Sequence, residues 1–120
     1  MATVSEVVDR AANDLGILRL GQSLQAQDST RINSAYNEVY AQLKTEGIAT
    51  WTSTGAVPAE VVPHVAALVA DNCLGTYSVS NDRYTRIKNA VGANDGDRAK
   101  RAIRKLVSSD YPSMADPVDY

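Results

Sequence analysis

The chain has 120 residues, 44% of them hydrophobic and 22% charged, with 12 Lys and Arg against 14 Asp and Glu for a formal net charge of −2. This is one domain's length with an adequate supply of core-forming side chains, and its composition excludes both a disordered chain and a protein that coats nucleic acid with its whole surface. One cysteine (Cys73), one histidine (His64), one tryptophan (Trp51) and no phenylalanine exclude an intramolecular disulfide framework and a Cys-rich zinc site.

The opening residues, Met1 to Glu6, lack the basic start and apolar run of a signal peptide. Val4, Val7, Val8, Ala11, Ala12 and Leu15 then recur at i, i+3, i+4 and i+7, predicting a first helix with Glu6, Asp9 and Arg10 opposite the stripe. Thr3 and Glu6 have capping-box spacing, and Gly16 suits the left-handed position that ends a helix. Residues 17 to 28 hold no period and read as a loop, with Ile17, Leu18, Leu20 and Leu24 leaning on the core. A second helix is expected from Asp28 or Ser29 to about Glu46, burying Ile32, Ala35, Tyr36, Val39 and Leu43, with Tyr40 on its flank and Gly47 as the stop.

Residues 48 to 57 form a Thr-rich connector containing Trp51. Pro58 and Pro63 are tolerable only before or within a first turn, so the pattern predicts an irregular turn at 58–61 and a regular helix from Val62 to about Tyr77. That helix is apolar almost all round, the mark of a central element. Its longest apolar stretch, Val65 to Ala70, is too short to span a bilayer, so no membrane partner is expected and the chain reads as cytosolic or as part of something assembled there. Asn81 and Asp82 are placed to cap a fourth helix through Tyr84, Ile87 and Val91, and residues 92–96 form a turn. A fifth helix follows from Asp97 to about Val107, with Ala99, Ala102, Ile103 and Leu106 in one sector and Arg98, Lys100, Arg101, Arg104 and Lys105 in the other. The expected fold is all-α: a compact bundle of four to five helices over residues 1–107, with an extended, non-helical C-terminal tail over 108–120.

The residue sets that catalysis needs are missing. His64 and Cys73 lie nine positions apart on one expected helix, on opposite faces, which excludes a thiolate–imidazole dyad. Aligning Gly96 with the glycine of a calcium loop puts Val91, Ala93 and Ala102 at ligand positions, so that match fails. Asp9 and Asp14 read as solvated carboxylates on an exposed face. No enzyme activity, metal or cofactor is expected.

Charge is the informative feature, because the net value hides a segregation. Residues 82–106 hold eight Lys and Arg against three Asp, a balance of +5; residues 1–81 hold four basic and eight acidic groups, a balance of −4; the last fourteen residues hold three Asp and no cation. The basic face of the fifth helix (Arg98, Lys100, Arg101, Arg104, Lys105) can meet DNA phosphates or an acidic surface of a neighbouring copy. It offers no Asn or Gln for base edges, so a small DNA-binding or regulatory protein using this helix would work through the backbone. The tail is acidic and punctuated by proline, with apolar and aromatic groups at Tyr111, Met114, Val118 and Tyr120 able to anchor it in a partner's groove.

In its order of elements the chain resembles the small head-to-tail adaptor proteins of tailed bacteriophages, those also described as tail accessory, packaged-DNA-stabilisation or head-completion proteins. The resemblance covers most of the chain. It rests on the opening helix with its leucine-glycine end (Val7, Val8, Ala11, Leu15, Gly16), the second helix of type Ile32-x3-Tyr36-x2-Val39-x3-Leu43 and the connector Ile48-Ala49-Thr50-Trp51. The Pro58-led apolar helix, and the basic helix running into Ser109-Asp110-Tyr111-Pro112, complete it. It departs from the family in having little tail beyond Tyr120 and no extra connector loops. The resemblance implies a structural protein of the virion's head-tail junction, assembled in the host cytoplasm as a dodecameric ring beneath the portal protein. Such a ring extends the DNA channel, contacts passing DNA without sequence preference, helps retain packaged DNA and seats the next tail or nozzle component. It further implies that Tyr111, Pro112, Met114, Pro117, Val118 and Tyr120 dock on the portal or a neighbour, with the first, second and fifth helices supplying subunit contacts.

Overall fold

A computed structural model describes residues 3–18, 23–52, 56–92 and 96–108. Five α-helices follow in chain order: α1 (Val4–Leu15), α2 (Ala26–Thr45), α3 (Val62–Asn72), α4 (Asn81–Val91) and α5 (Asp97–Ser108), with a short 3-10 turn at Ala59–Val61 leading into α3. No β-strand element occurs among the described residues, and the all-α expectation holds.

The expected centre is the observed one. Six consecutive residues of α3, Val65 to Ala70, are buried, which is possible only for a helix covered on all sides. α3 packs against α1, α2, α4 and α5. α1 contributes Val7, Val8, Ala11, Ala12 and Leu15 to this core, and α2 contributes Ile32, Ala35, Tyr36, Val39 and Leu43, the two stripes read from the sequence. Burying a side chain of Val, Leu or Ile size stabilises the fold by roughly 1.5–3 kcal/mol. These stripes are therefore what hold the bundle closed. Ile17, Leu18 and Leu24 pack partly buried against it, as expected, while Leu20 lies outside the described residues.

Local chemistry sets the helix ends. Thr3 Oγ1 accepts from Glu6 N at 3.2 Å to open α1, and Gly16, at φ 84°, closes it while Ile17 N bonds back to the Ala12 carbonyl at 3.1 Å. The polar connector after α2 is tied down by its one tryptophan. Trp51 Nε1 donates to the Tyr36 hydroxyl at 3.1 Å, and the Tyr40 hydroxyl donates to the Trp51 carbonyl at 2.6 Å.

Several expectations are corrected. α2 starts at Ala26, before the expected Asp28, because the Asp28 carboxylate does not cap: it accepts from the Tyr77 hydroxyl at 2.9 Å. α3 stops at Asn72 and does not reach Tyr77; Thr76 N and Tyr77 N both turn back to the Cys73 carbonyl, and Arg31 holds Thr76 Oγ1 at 3.0 Å. The cap of α4 is Ser80, whose Oγ accepts from Arg83 N, and neither Asn81 nor Asp82 serves. Tyr84, expected on the packed face of α4, is 46% exposed. On α5 the buried residues Ala99, Ile103 and Val107 drift around the helix by about 40° per step of four, because four residues turn it slightly beyond one full turn. Lys100 falls beside that stripe, so it is buried and does not join the exposed basic sector. α5 also runs through Ser108, the first residue of the expected tail; the remaining tail residues, Tyr111, Pro112, Met114, Pro117, Val118 and Tyr120 among them, lie outside the described residues, as do residues 93–95 of the turn tested as a calcium loop.

Candidate functional site

Arginine is the residue that the tertiary structure gathers. A cleft of about 400 Å³ opens where α1, the start of α3, α4 and the start of α5 meet. α1 presents Arg10, Asn13 and Asp14, and α4 presents Arg83, Arg86, Ile87 and Ala90, each set at spacings that put its members on one helical face. α3 adds His64 from its first turn, with Pro63 and Ala67, and α5 adds Arg98. The cleft thus has four guanidinium groups, one carboxylate and an apolar floor. Its volume is within the range of about 300–1,000 Å³ usual for small-molecule and side-chain binding pockets. Arg98 also lines an adjoining cavity with Lys88, Asn89 and Gly92, which extends the cationic surface along α4.

The four arginines are not equivalent. Arg83 is structural: its Nη1 donates to the Asn13 carbonyl at 3.0 Å, which also accepts from Gly16 N, and lies 3.5 Å from the Asp14 carbonyl, bracing the last turn of α1 and placing a cation at the negative end of that helix. Gly16 makes this approach feasible, because a Cβ there would stand 2.8 Å from Arg83 Nε. Arg10, Arg86 and Arg98 make no hydrogen bond or close ion pair with any described group, and all three are exposed at the cleft.

Asp14 was expected as a solvated carboxylate. It is half-buried, and loss of water pushes its carboxyl above the ordinary value, with Arg10, Arg83 and Arg86 pulling in the opposite direction. Its environment is therefore the cleft and not open solvent.

The basic residues expected to form one face of α5 separate into three environments. Arg98 belongs to the cleft. Lys100 is 6% exposed and its Nζ pairs with Glu46 Oε2 at 2.9 Å, binding α5 to the end of α2. Arg104 and Lys105 face solvent, as does Arg101, whose Nη2 lies 3.5 Å from Asp97 Oδ2 one turn away. The cleft residues missing from the sequence reading, Arg10, His64, Arg83 and Arg86, had a partial signal in their spacing (Arg10 with Asp14, Arg83 with Arg86), but nothing in the sequence brings those two helices together.

His64 and Cys73 stand at opposite ends of α3, about 13 Å apart along the axis at 1.5 Å per residue. Cys73 is fully buried, and that burial pushes its thiol up, away from the reactive thiolate form. Among the described residues no group of three or more His, Cys, Asp or Glu could hold a metal ion, and no helix is long and apolar enough to cross a membrane. Comparison with family models, with curated proteins and with solved structures finds no match to this chain.

Proposed function

We propose that this protein is a non-catalytic structural adaptor of the head-to-tail junction of a tailed bacteriophage. In this reading copies of the chain form a ring beneath the portal protein, extend the DNA channel, help retain packaged DNA and provide the platform for the next tail component. The observation that carries it is charge segregation on a rigid all-α body. The cations concentrate in the cleft and on the outer face of α5, while Glu6, Asp9, Glu38 and Glu60 are exposed on α1, α2 and the turn before α3. Opposite charges on different faces of one small body suit head-to-tail contacts between identical copies, which close into a ring when the rotation per subunit allows. The order of helices, with the apolar α3 at the centre, also supports the adaptor reading.

The test is to mix purified protein with portal rings and image the product. A second ring of density beneath the portal is expected; portals that remain bare overturn the proposal. A small DNA-binding or regulatory protein is the second reading, favoured by the exposure of Arg101, Arg104 and Lys105 on α5. It requires duplex binding by the free chain with steep salt dependence and loss in the Arg101→Ala, Lys105→Ala double variant, and an unshifted duplex at low salt removes it.

A further inference from the structure

We propose that the arginine cleft is the receptor for the acidic, tyrosine-bearing segment 110–120 of a second copy of this chain. The inference rests on the ring-assembly reading above and names the two surfaces that meet. Arg10, Arg86 and Arg98 come from three helices, face one concavity and make no described hydrogen bond or close ion pair; the single carboxylate of Asp14 leaves positive charge in excess there, which favours an incoming oxyanion. Guanidinium groups suit carboxylates through paired N–H donors, and segment 110–120 carries Asp110, Asp116 and Asp119 with no cation to oppose them.

The rest of the cleft discriminates between kinds of anion. Its floor of Pro63, Ala67, Ile87 and Ala90 offers apolar contact, for which Tyr111, Val118 and Tyr120 have the matching side chains. Asp14 supplies a half-buried acceptor suited to a tyrosine hydroxyl, a donor that a DNA backbone does not offer. A duplex is better met by the outward Arg104 and Lys105 than by a small concave pocket.

Direction along the chain favours a second copy. Arg98, at the start of α5, is in the cleft, and Ser108 ends that helix ten residues later, about 15 Å away along its axis. A chain's own segment would have to double back over α5 to reach its own cleft. A neighbour in a head-to-tail arrangement presents the segment without that reversal.

The experiment titrates a fluorescently labelled synthetic peptide of residues 108–120 into the full-length protein, with sedimentation of the unlabelled protein over a range of concentrations. Saturable binding that weakens with salt is expected. Affinity should fall about tenfold or more in Arg86→Ala, Arg98→Ala and remain unchanged in Arg104→Ala, with helical circular dichroism intact in both. If the double variant loses helicity, Arg98→Gln alone must show the weakening. Wild-type protein should self-associate with concentration, and the cleft variants should not. Absence of saturable binding, equal affinity in the cleft variants, or displacement of the peptide by an equal charge of duplex DNA overturns the proposal. Peptide binding by a protein that stays monomeric at every concentration overturns the second-copy assignment. A ring that forms on the portal without peptide binding sinks this inference alone, whereas peptide binding and self-association without a portal ring sink the adaptor reading alone.

Discussion

Substituting Gly16 tests how the cleft is held in place. Gly16→Ala puts an L side chain at φ 84° and a methyl group 2.8 Å from Arg83 Nε. The backbone penalty of a left-handed L residue is about 1–2 kcal/mol, partly offset by the lower unfolded-state entropy of alanine, for a net cost of about 1 kcal/mol. Gly47, at φ 76° with no atom within 4 Å of the added Cβ, provides that backbone cost alone. At Gly16 the flexible arginine can move aside, but moving forfeits its bonds to the Asn13 and Asp14 carbonyls, one at 3.0 Å and the other long at 3.5 Å. At exposed positions these contribute about 1 kcal/mol together. Gly16→Ala is therefore expected to cost about 2 kcal/mol and Gly47→Ala about 1 kcal/mol. In an Arg83→Ala background the cost of Gly16→Ala should fall to about 1 kcal/mol, a coupling of about 1 kcal/mol. Urea unfolding followed by far-ultraviolet circular dichroism measures all four corners, and the fluorescence of buried Trp51 checks that the transition is two-state. Additive costs, or equal costs at Gly16 and Gly47, would refute the role assigned to Arg83.

Tyr77 should give the fold an alkaline limit. Its hydroxyl is pushed up to about 12 from an ordinary 10.0 by burial and by donation to the Asp28 carboxylate. The folded state thus holds this proton more tightly than the unfolded one, so the contribution is complete below pH 10 and is lost as the pH climbs through about 12. Urea midpoints across that window should fall less steeply in Tyr77→Phe than in wild type, and an equal slope contradicts the assignment. Two described ion pairs of α5 should differ in strength. Glu46→Gln, which leaves the Lys100 ammonium facing a neutral amide in a site where Lys100 is 6% exposed, is expected to cost about 1–2 kcal/mol. Arg101→Gln removes a pair whose arginine side chain is 77% exposed and should cost no more than about 0.5 kcal/mol by the same unfolding measurement.

Elements whose stability is set by their own periodicity were legible without coordinates. The stripes of α1 and α2, the all-round apolar character of α3 and the stops at Gly16 and Gly47 depend on spacing of 3.6 residues and on backbone freedom, both local properties. Helix ends were legible only where no distant group competed. Local pattern places the start of α2 at Asp28 or Ser29, but the helix begins at Ala26 and the Asp28 carboxylate accepts from the Tyr77 hydroxyl in the turn after α3, a contact that accompanies the early end of α3. Lys100 lay within the charged sector of an idealised wheel, yet the gradual rotation of the buried stripe carried it inward to Glu46.

The sequence by itself determined that this is an all-helical chain, poor in reactive side chains and divided into an acidic first part, a basic segment and an acidic end. Those are properties of composition and period, and they need no knowledge of which helices touch. Only the tertiary structure decided where the positive charge gathers. Packing α4 beside the end of α1 and the start of α5 brings Arg83 and Arg86 to Arg10 and Arg98, side chains as much as 88 positions apart in sequence. Helical periodicity assigns a residue to a face, but long-range packing selects the face that it meets, and the cleft exists only because of that selection.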